Sequence, residues 1–264
     1  MASRYKAELD EMVWSFSRIK CYEQCPYSFY LKYIDKDEVP ESNFYAENGI
    51  IFHEICERLL KKEIDIRDAP KEYTDKFDGI LNTTKKSIMN KCFDDCIEYL
   101  CDVDEFDFDK YDVLGVEKYI EFKIGKYKFI GYIDVLLRDK VTGDVIVLDH
   151  KSSSGDIFKK DGTLKKGKEE QFGSYKKQLY LYCNPVIKEY GEPTYLAWHH
   201  FREHGRINKI RFDKKEYNET LEWAKNTIKT IYNDKKFTEK CDWFYCNNLC
   251  DFRGCCGLKD FSQE

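Results

Sequence analysis

The feature that most constrains the fold is a change of hydrophobic period near residue 112. From there to Lys151 the chain is rich in Val, Ile, Tyr and Phe and is punctuated by the turn signals "IGKY" and "KVTGD". This pattern is typical of successive antiparallel strands. We predict strands near 113–123, 127–138 and 144–151, and two more at 194–201 and 207–213.

Helical patterns precede and separate these strands. Segment 15–34 predicts two short helices that meet at Cys25, since Pro26 suits the first turn of the second helix. Segment 46–64 predicts an amphipathic helix that carries His53 and Glu57 one turn apart. Further helical patterns run from about 73 to 100, from 169 to 190 and from 215 to 234. With no repeat and no long linker, we expect one α/β domain over residues 1–264.

Composition restricts the class of protein. With 42% hydrophobic residues among 264 the chain can fill a core, and with 35% charged residues it has no apolar run of 18. We therefore expect a cytoplasmic protein without a membrane span or signal peptide, in the host cytoplasm if the source is a virus. The net charge of −5 argues against a generally basic nucleic-acid-binding surface. Five lysines in 159–168 are compatible with either a solvated loop or a loop that contacts phosphate.

The strand "VIVLDHK" (145–151) ends in charged residues, which indicates chemistry at its end. If Val141 and Thr142 form a two-residue turn, Asp134 lies directly opposite Asp149 and Lys151 shares its face of the sheet. Two opposed carboxylates repel each other, and a divalent cation such as Mg²⁺ relieves that repulsion. Lys151 would then orient or deprotonate a water molecule or stabilise developing negative charge. A surface salt bridge at a strand end is the simpler alternative.

These residues resemble a known active-site signature. "GYID" followed fifteen residues later by "DHK" resembles the motif of the PD-(D/E)XK nuclease superfamily, with Asp134 as the first acid and Asp149 and Lys151 as the (D/E)xK pair. The resemblance implies a restriction-endonuclease-like fold, in which helices flank a central mixed β-sheet, with 112–190 as the catalytic core.

The resemblance extends to the RecB-like nucleases. His53 in "GIIFHEICE" resembles their helical metal ligand, and Gln178 and Tyr182 in "QLYLY" resemble their Q-x-x-x-Y helix. This implies a Mg²⁺ or Mn²⁺ ion bound by His53, Asp134 and Asp149, with the His150 backbone carbonyl as a fourth candidate ligand. Gln178 and Tyr182 are candidates for contacts to the DNA backbone or for bracing Lys151. Glu117 matches a frequently acidic strand position of the family.

Cysteine positions carry a second signal. Of twelve cysteines, five crowd into the last 24 residues: Cys241, Cys246, Cys250, Cys255 and Cys256. In an intracellular chain such a cluster favours a metal site over disulfides. The tail at 241–257 and the early "SRIKCYEQCPYSFY" resemble nucleases of the AddB type and the CRISPR-associated RecB-like exonucleases.

In those nucleases one early and three late cysteines hold a [4Fe-4S] cluster. By resemblance the ligands are Cys25, Cys246, Cys250 and Cys256, with Cys255 as the rival of Cys256. Structural Zn²⁺ remains the alternative, because four thiolates suit both groups.

Together these observations predict a metal-dependent DNA exonuclease acting on single strands or duplex ends. The resemblance implies roles in recombination, repair, CRISPR adaptation or phage replication, with a helicase or another partner protein. Two alternatives stay open: a catalytically weak DNA-binding or scaffold subunit of a nuclease–helicase or CRISPR adaptation complex, and an RNA nuclease.

Overall fold

The computed structural model describes residues 4–80, 84–101, 109–151, 157–159, 161–200, 206–240 and 242–256. Of the predicted segments, residues 81–83 and 152–156 and the single residues Lys160, Phe201, Cys241 and Gly257 lie outside these ranges. In chain order the elements are α1 Lys6–Glu11, α2 Phe16–Gln24, α3 Pro26–Tyr30, a π-helix Leu31–Asp35, α4 Phe44–Leu60, α5 Ala69–Phe77, α6 Lys86–Cys101, β1 Tyr111–Ile124, β2 Tyr127–Asp139, β3 Val145–Lys151, α7 Glu169–Tyr190, β4 Tyr195–His200, β5 Arg206–Arg211, α8 Lys214–Asn233 and α9 Trp243–Asn248.

The mixed α/β class and the five predicted strands are confirmed. The strands form one sheet in the order β1-β2-β3-β4-β5, with β3 and β4 parallel and the pairs β2–β3 and β4–β5 antiparallel. The parallel pair needs a crossover connection, and α7 supplies it. None of the helices in the described ranges is both long enough and apolar enough to span a membrane.

The chain divides into two compact units, each described here by itself. The sheet unit comprises Phe44–Ile120 and Gly131–Tyr217, and the terminal unit comprises Met1–Asn43, Glu121–Ile130 and Asn218–Glu264.

Strand β3 is covered on both faces within the sheet unit. Its first six residues are buried, which explains why it is a continuous apolar run rather than an alternating one. Ile146 and Leu148 lie in a cluster with Leu60 at the end of α4. On the opposite face, Asp149 contacts Gln178 of α7. Helices from both sides therefore reach the charged end of the strand.

In the terminal unit the cysteine tail packs on the N-terminal helices. Leu31, Cys250 and Phe252 form a buried cluster. The Glu41 N–H donates to the Asp251 carbonyl at 2.7 Å, and Lys32 forms an ion pair with the Asp251 carboxylate. Cys25 lies at the junction of α2 and α3, as predicted.

The register of the β2–β3 hairpin is confirmed, although its turn is longer than predicted. Val135 pairs with Leu148, the offset that places Asp134 opposite Asp149. Residues 140–143 form a four-residue loop, closed by a hydrogen bond from the Asp139 N–H to the Asp144 carbonyl at 2.9 Å. The register survives because the loop gains one residue on each side of the expected turn. Gly143 adopts a left-handed φ of 76°.

Gly143→Ala should therefore lower the free energy of unfolding by about 1 kcal/mol, because a Cβ disfavours left-handed backbone. Gly173→Ala within α7 is the matched control and should raise it by about 0.5–1 kcal/mol, since alanine favours helix. Neither added Cβ meets another atom within 4 Å, so backbone conformation alone distinguishes the two sites. Urea unfolding measures both values, and shifts of the same sign would contradict this account.

Candidate active site

The carboxylate of Asp134 lies in a charged and largely buried environment. Its Oδ2 accepts a hydrogen bond from the His150 backbone N–H at 2.7 Å and lies 3.6 Å from His53 Nδ1. Burial, followed by the negative charge of Asp149, raises the pKa of Asp134 well above its usual value. The nearby charge of Lys151 and the His150 N–H lower the pKa of Asp134 but do not offset these two effects.

Asp149 is held by two neighbours. Lys151 forms an ion pair with its Oδ2, and the Gln178 side-chain amide donates to its Oδ1 at 2.9 Å. Lys151 Nζ in turn donates to Gln178 Oε1 at 3.1 Å. Burial alone would lower the pKa of Lys151, but attraction to Asp149 outweighs burial and the net pKa is raised. Lys151 is therefore an ammonium group at neutral pH.

One face of α7 supports this arrangement. Tyr175, Gln178 and Tyr182 follow one another at helical spacings of three and four residues. Lys151 Nζ lies 4.4 Å from the centroid of the Tyr175 ring, a cation–π contact that the sequence analysis missed. The sequence feature that could have indicated this contact is the position of Tyr175, one helical turn before Gln178.

Tyr182 is buried, and its ring lies against Gly131 of β2. A Cβ on Gly131 would lie 2.7 Å from Tyr182 Cε1. The sequence analysis predicted that Gln178 and Tyr182 contact the DNA backbone or support Lys151. Gln178 has the geometry to support Lys151, whereas Tyr182 packs against β2.

A group of three side chains converges next to Asp134. One ligand atom each from His53, Glu117 and Asp134 lies within 4.8 Å of the others. In the predicted ligand set Asp149 stood in the place of Glu117, whereas here Lys151 and Gln178 engage Asp149. The resemblance matched Glu117 to an acidic strand position of the family but did not include it in the predicted ligand set.

The backbone of Glu117 explains part of this convergence. It adopts a left-handed φ of 47°, which is rare for a residue other than glycine and interrupts the regular alternation of β1. Burial, followed by the charge of Glu57, raises the pKa of Glu117. Glu117 and Asp134 thus share an excess of negative potential.

His150 contributes to the site through its backbone. Besides its N–H bond to Asp134, its main chain hydrogen-bonds with the His53 ring. Its buried imidazole packs 5.7 Å from the His53 ring and 5.3 Å from the His199 ring, measured between centroids. Behind it, the Tyr99 hydroxyl and His199 Nε2 are 3.0 Å apart.

The donor set fits a hard or borderline divalent cation. Carboxylate oxygens are the ligands that Mg²⁺ and Mn²⁺ prefer, and a neutral imidazole completes such sets. Burial lowers the pKa of His53, which keeps its ring neutral and able to coordinate. The raised pKa values of Asp134 and Glu117 show that a cation would relieve repulsion there.

In the terminal unit, the four nominated cysteines line one cavity. Cys25, Cys246, Cys250 and Cys256 all border a space of about 160 Å³. Cys255 does not line this space, and its Sγ lies 3.2 Å from Glu38 Oε2.

Two of these sulfur atoms accept hydrogen bonds from backbone N–H groups. The Lys240 N–H points at Cys25 Sγ at 3.5 Å, and the Phe252 N–H points at Cys250 Sγ at 3.4 Å. Such bonds stabilise thiolate ligands and tune the clusters they hold. Burial raises the pKa of Cys250 to about 11, so a bound cation is what would keep it deprotonated at neutral pH.

Comparison with known families identifies the fold and the chemistry. The family model described as the PD-(D/E)XK nuclease superfamily matches residues 13–257, nearly the whole chain. The chain belongs to the PD-(D/E)XK nuclease superfamily. The five-stranded sheet flanked by helices is the restriction-endonuclease-like fold that the sequence predicted, and membership makes DNA the implied substrate.

One solved structure supports the same fold. The crystal structure of a protein from Eubacterium rectale, proposed to be an exonuclease, matches with a TM-score of 0.51 and 13% identity, covering 90% of this chain and 87% of the other. A protein named SSO0001 matches with a TM-score of 0.40 and 16% identity over 97% and 95% of the two chains, which is too distant to carry an argument. Comparison with curated protein sequences gives no match.

The close approach of Tyr182 to Gly131 makes this nuclease sensitive to one methyl group. Gly131→Ala should lower the free energy of unfolding by about 1–3 kcal/mol, because the added Cβ overlaps the Tyr182 ring and forces a shift in a packed site. Chemical denaturation measures the loss. In a Tyr182→Leu background the same substitution should cost less, and an equal cost in both backgrounds would disprove the contact as the cause.

Proposed function

We propose that this chain is a divalent-metal-dependent deoxyribonuclease, most simply an exonuclease acting on single-stranded DNA or duplex ends. The observation that carries the proposal is the meeting of Asp134, Asp149 and Lys151 at the end of the hairpin, with His53 of α4 beside them. Membership of the superfamily supports the nuclease activity, and the Eubacterium rectale structure supports the fold.

We assign the metal ligands to His53, Asp134 and Asp149, joined by Glu117 and the His150 backbone carbonyl. A divalent cation bound there would supply the charge that lowers the pKa of a bound water and neutralises the phosphodiester. The His150 N–H fixes the orientation of Asp134, and a separate hydrogen bond between the His150 main chain and the His53 ring fixes that ring.

Lys151 acts at the phosphate as an ammonium group. Its raised pKa favours stabilisation of developing negative charge over removal of a proton from water. Gln178 and Tyr175 hold Lys151 from two sides, so its position is fixed before substrate binds. Lys151, Gln178 and Tyr182 thus form the proposed catalytic face, with Gln178 and Tyr182 as positioning residues.

Lys151→Ala should reduce the rate of DNA cleavage by about 10²–10⁴-fold, because it removes the charge that faces the reacting phosphate. The assay incubates 5′- and 3′-labelled single-stranded DNA, duplex DNA and RNA with Mg²⁺ or Mn²⁺. The order in which labelled products appear distinguishes exonuclease from endonuclease action and gives the polarity.

Lys214→Ala is the control for this assay. Lys214 is an exposed lysine of the same unit, paired with Glu192 at 2.5 Å and more than 60 residues from Lys151 in the sequence. It should leave the rate unchanged. Equal DNA cleavage by wild type and Lys151→Ala would refute the proposed mechanism, and cleavage of RNA alone would refute the substrate.

For the terminal unit we propose a [4Fe-4S] cluster held by Cys25, Cys246, Cys250 and Cys256. Support comes from the cavity that these four residues line and from the backbone N–H groups on two sulfur atoms. Tetrahedral zinc, with Zn–S near 2.3 Å, needs sulfur atoms about 3.8 Å apart. A [4Fe-4S] cluster spaces its four thiolates more widely, so the two groups make different demands on the same cysteines.

The cluster motif is also the basis for the proposed pathway. It supports the RecB-like subgroup, which includes AddB-type and CRISPR-associated nucleases, and hence roles in recombination, repair, CRISPR adaptation or phage replication. A helicase or another partner protein would supply unwinding.

Protein purified without oxygen should be brown and contain about four iron atoms per chain, because four thiolates complete such a cluster. Cys246→Ser should lower iron content and melting temperature together. Metal analysis and visible absorption measure both properties.

Two serine variants serve as controls for the cluster. Cys255→Ser removes the rival ligand, and Cys101→Ser removes an exposed cysteine of the other unit. Both should keep the iron. A colourless protein containing zinc and no iron would replace the cluster by the zinc alternative, and iron loss in Cys255→Ser would move the fourth ligand to that residue.

A further inference from the structure

Two exposed tyrosines lie beside the candidate metal ligands. All twenty tyrosines of the chain fall within the described ranges, and only Tyr119 and Tyr132 among them are exposed. Their side chains are 50% and 53% exposed, and their rings touch with centroids 5.4 Å apart at an angle of 59°. Trp243 and Phe244 are also exposed, in the terminal unit, but among the described residues of the sheet unit Tyr119 and Tyr132 are the only exposed aromatic side chains.

The position of this pair in the strands ties it to the acids. Tyr132 precedes Asp134 by two residues in β2, and Tyr119 follows Glu117 by two residues in β1. Two residues of regular strand span about 7 Å, which sets the separation between the Cα atoms of Tyr132 and Asp134. Tyr132 is exposed, Ile133 is buried and Asp134 is half-buried, which is the alternation expected when Tyr132 and Asp134 share a face.

The backbone that carries these rings is rigid. Gly131, next to Tyr132, is buried under the Tyr182 ring. Two residues further along β2, the Asp134 carboxylate accepts a hydrogen bond from the His150 N–H. The distance from the aromatic pair to the acids is therefore set by the sheet and needs no loop movement.

We propose that Tyr119 and Tyr132 form a stacking platform for unpaired bases of single-stranded DNA, next to the phosphate held by the acids. This inference rests on the proposed nuclease function and deepens it by naming the form of substrate. Aromatic rings stack on the face of any base, so such a platform binds without sequence preference. Bases within a duplex are already stacked and cannot use it.

Cross-strand aromatic pairs also stabilise sheets, and the variants must separate that effect from DNA binding. The double substitution Tyr119→Ile with Tyr132→Ile keeps bulk and strand propensity but removes the π-faces. The double substitution Tyr119→Phe with Tyr132→Phe keeps the π-faces and removes only the hydroxyls. Melting temperatures report whether either variant is unfolded.

Binding is measured by fluorescence anisotropy in EDTA, where no metal-dependent cleavage occurs. The probes are a labelled oligothymidine, the same strand built from abasic nucleotides, and a duplex of equal length. We expect the double isoleucine variant to bind oligothymidine about tenfold more weakly or worse, since stacking on an aromatic ring contributes about 1–3 kcal/mol per base. The double phenylalanine variant should bind like wild type, and the abasic strand should bind all three proteins equally.

Several outcomes would overturn the platform. They are unchanged oligothymidine binding in a folded isoleucine variant, an equal loss on the abasic strand, or a loss on duplex as large as on the single strand. Because the assay contains no metal, its result is independent of cleavage. A wild type that binds through the tyrosines but never cuts DNA would refute the nuclease proposal and leave the platform standing.

Discussion

The site depends on a repulsion that the fold itself creates. Hairpin register places Asp134 opposite Asp149, and helices on both faces of the sheet remove water from the pair. Two carboxylates in such a place cost free energy unless positive charge or donors face them. Part of the required positive charge and hydrogen bonding comes from Lys151, the Gln178 amide and the His150 N–H. The raised pKa of Asp134 shows that this compensation is incomplete.

That incomplete compensation is what makes the site fit for a divalent cation. Two carboxylates whose charge the protein fully neutralised would attract a divalent cation only weakly. Here His53, Glu117 and Asp134 converge where negative potential is in excess. Asp149 differs from Asp134 because its two oxygens already have partners. The two acids therefore have unequal environments, and Asp149 couples the ligand group to Lys151.

The terminal unit shows a second use of buried polar chemistry. Its cysteine tail is anchored by apolar contacts, a backbone hydrogen bond and an ion pair, so the four cysteines meet around a cavity that the protein's own packing maintains. Burial raises the pKa of the Cys250 thiol. Backbone N–H groups donate hydrogen bonds to the sulfur atoms of Cys250 and Cys25. This combination matches a site organised for a charged inorganic group.

The sequence alone determined the five strands and most of the longer helices, and it predicted the hairpin register from a turn that is two residues longer in the structure. Hydrophobic period distinguished the strands from the helices. The turn at residues 139–144 sets the pairing of β2 with β3, and because side chains alternate along a strand, that pairing decides which side chains share a face. This was enough to predict that Asp134 faces Asp149 and that Lys151 lies beside it. The early and late cysteines could be nominated by their resemblance to a family motif, although that resemblance did not distinguish Cys255 from Cys256.

Only the tertiary structure decided which long-range partners meet. Glu117 joins His53 and Asp134 from a position with left-handed backbone, a conformation that no local pattern signals. The Tyr175 contact to Lys151 and the Tyr182 contact to Gly131 depend on how α7 crosses the sheet. Exposure of Tyr119 and Tyr132 depends on what packs above each strand. Local sequence sets period and register, but contacts between distant segments follow from three-dimensional packing, to which the whole chain contributes.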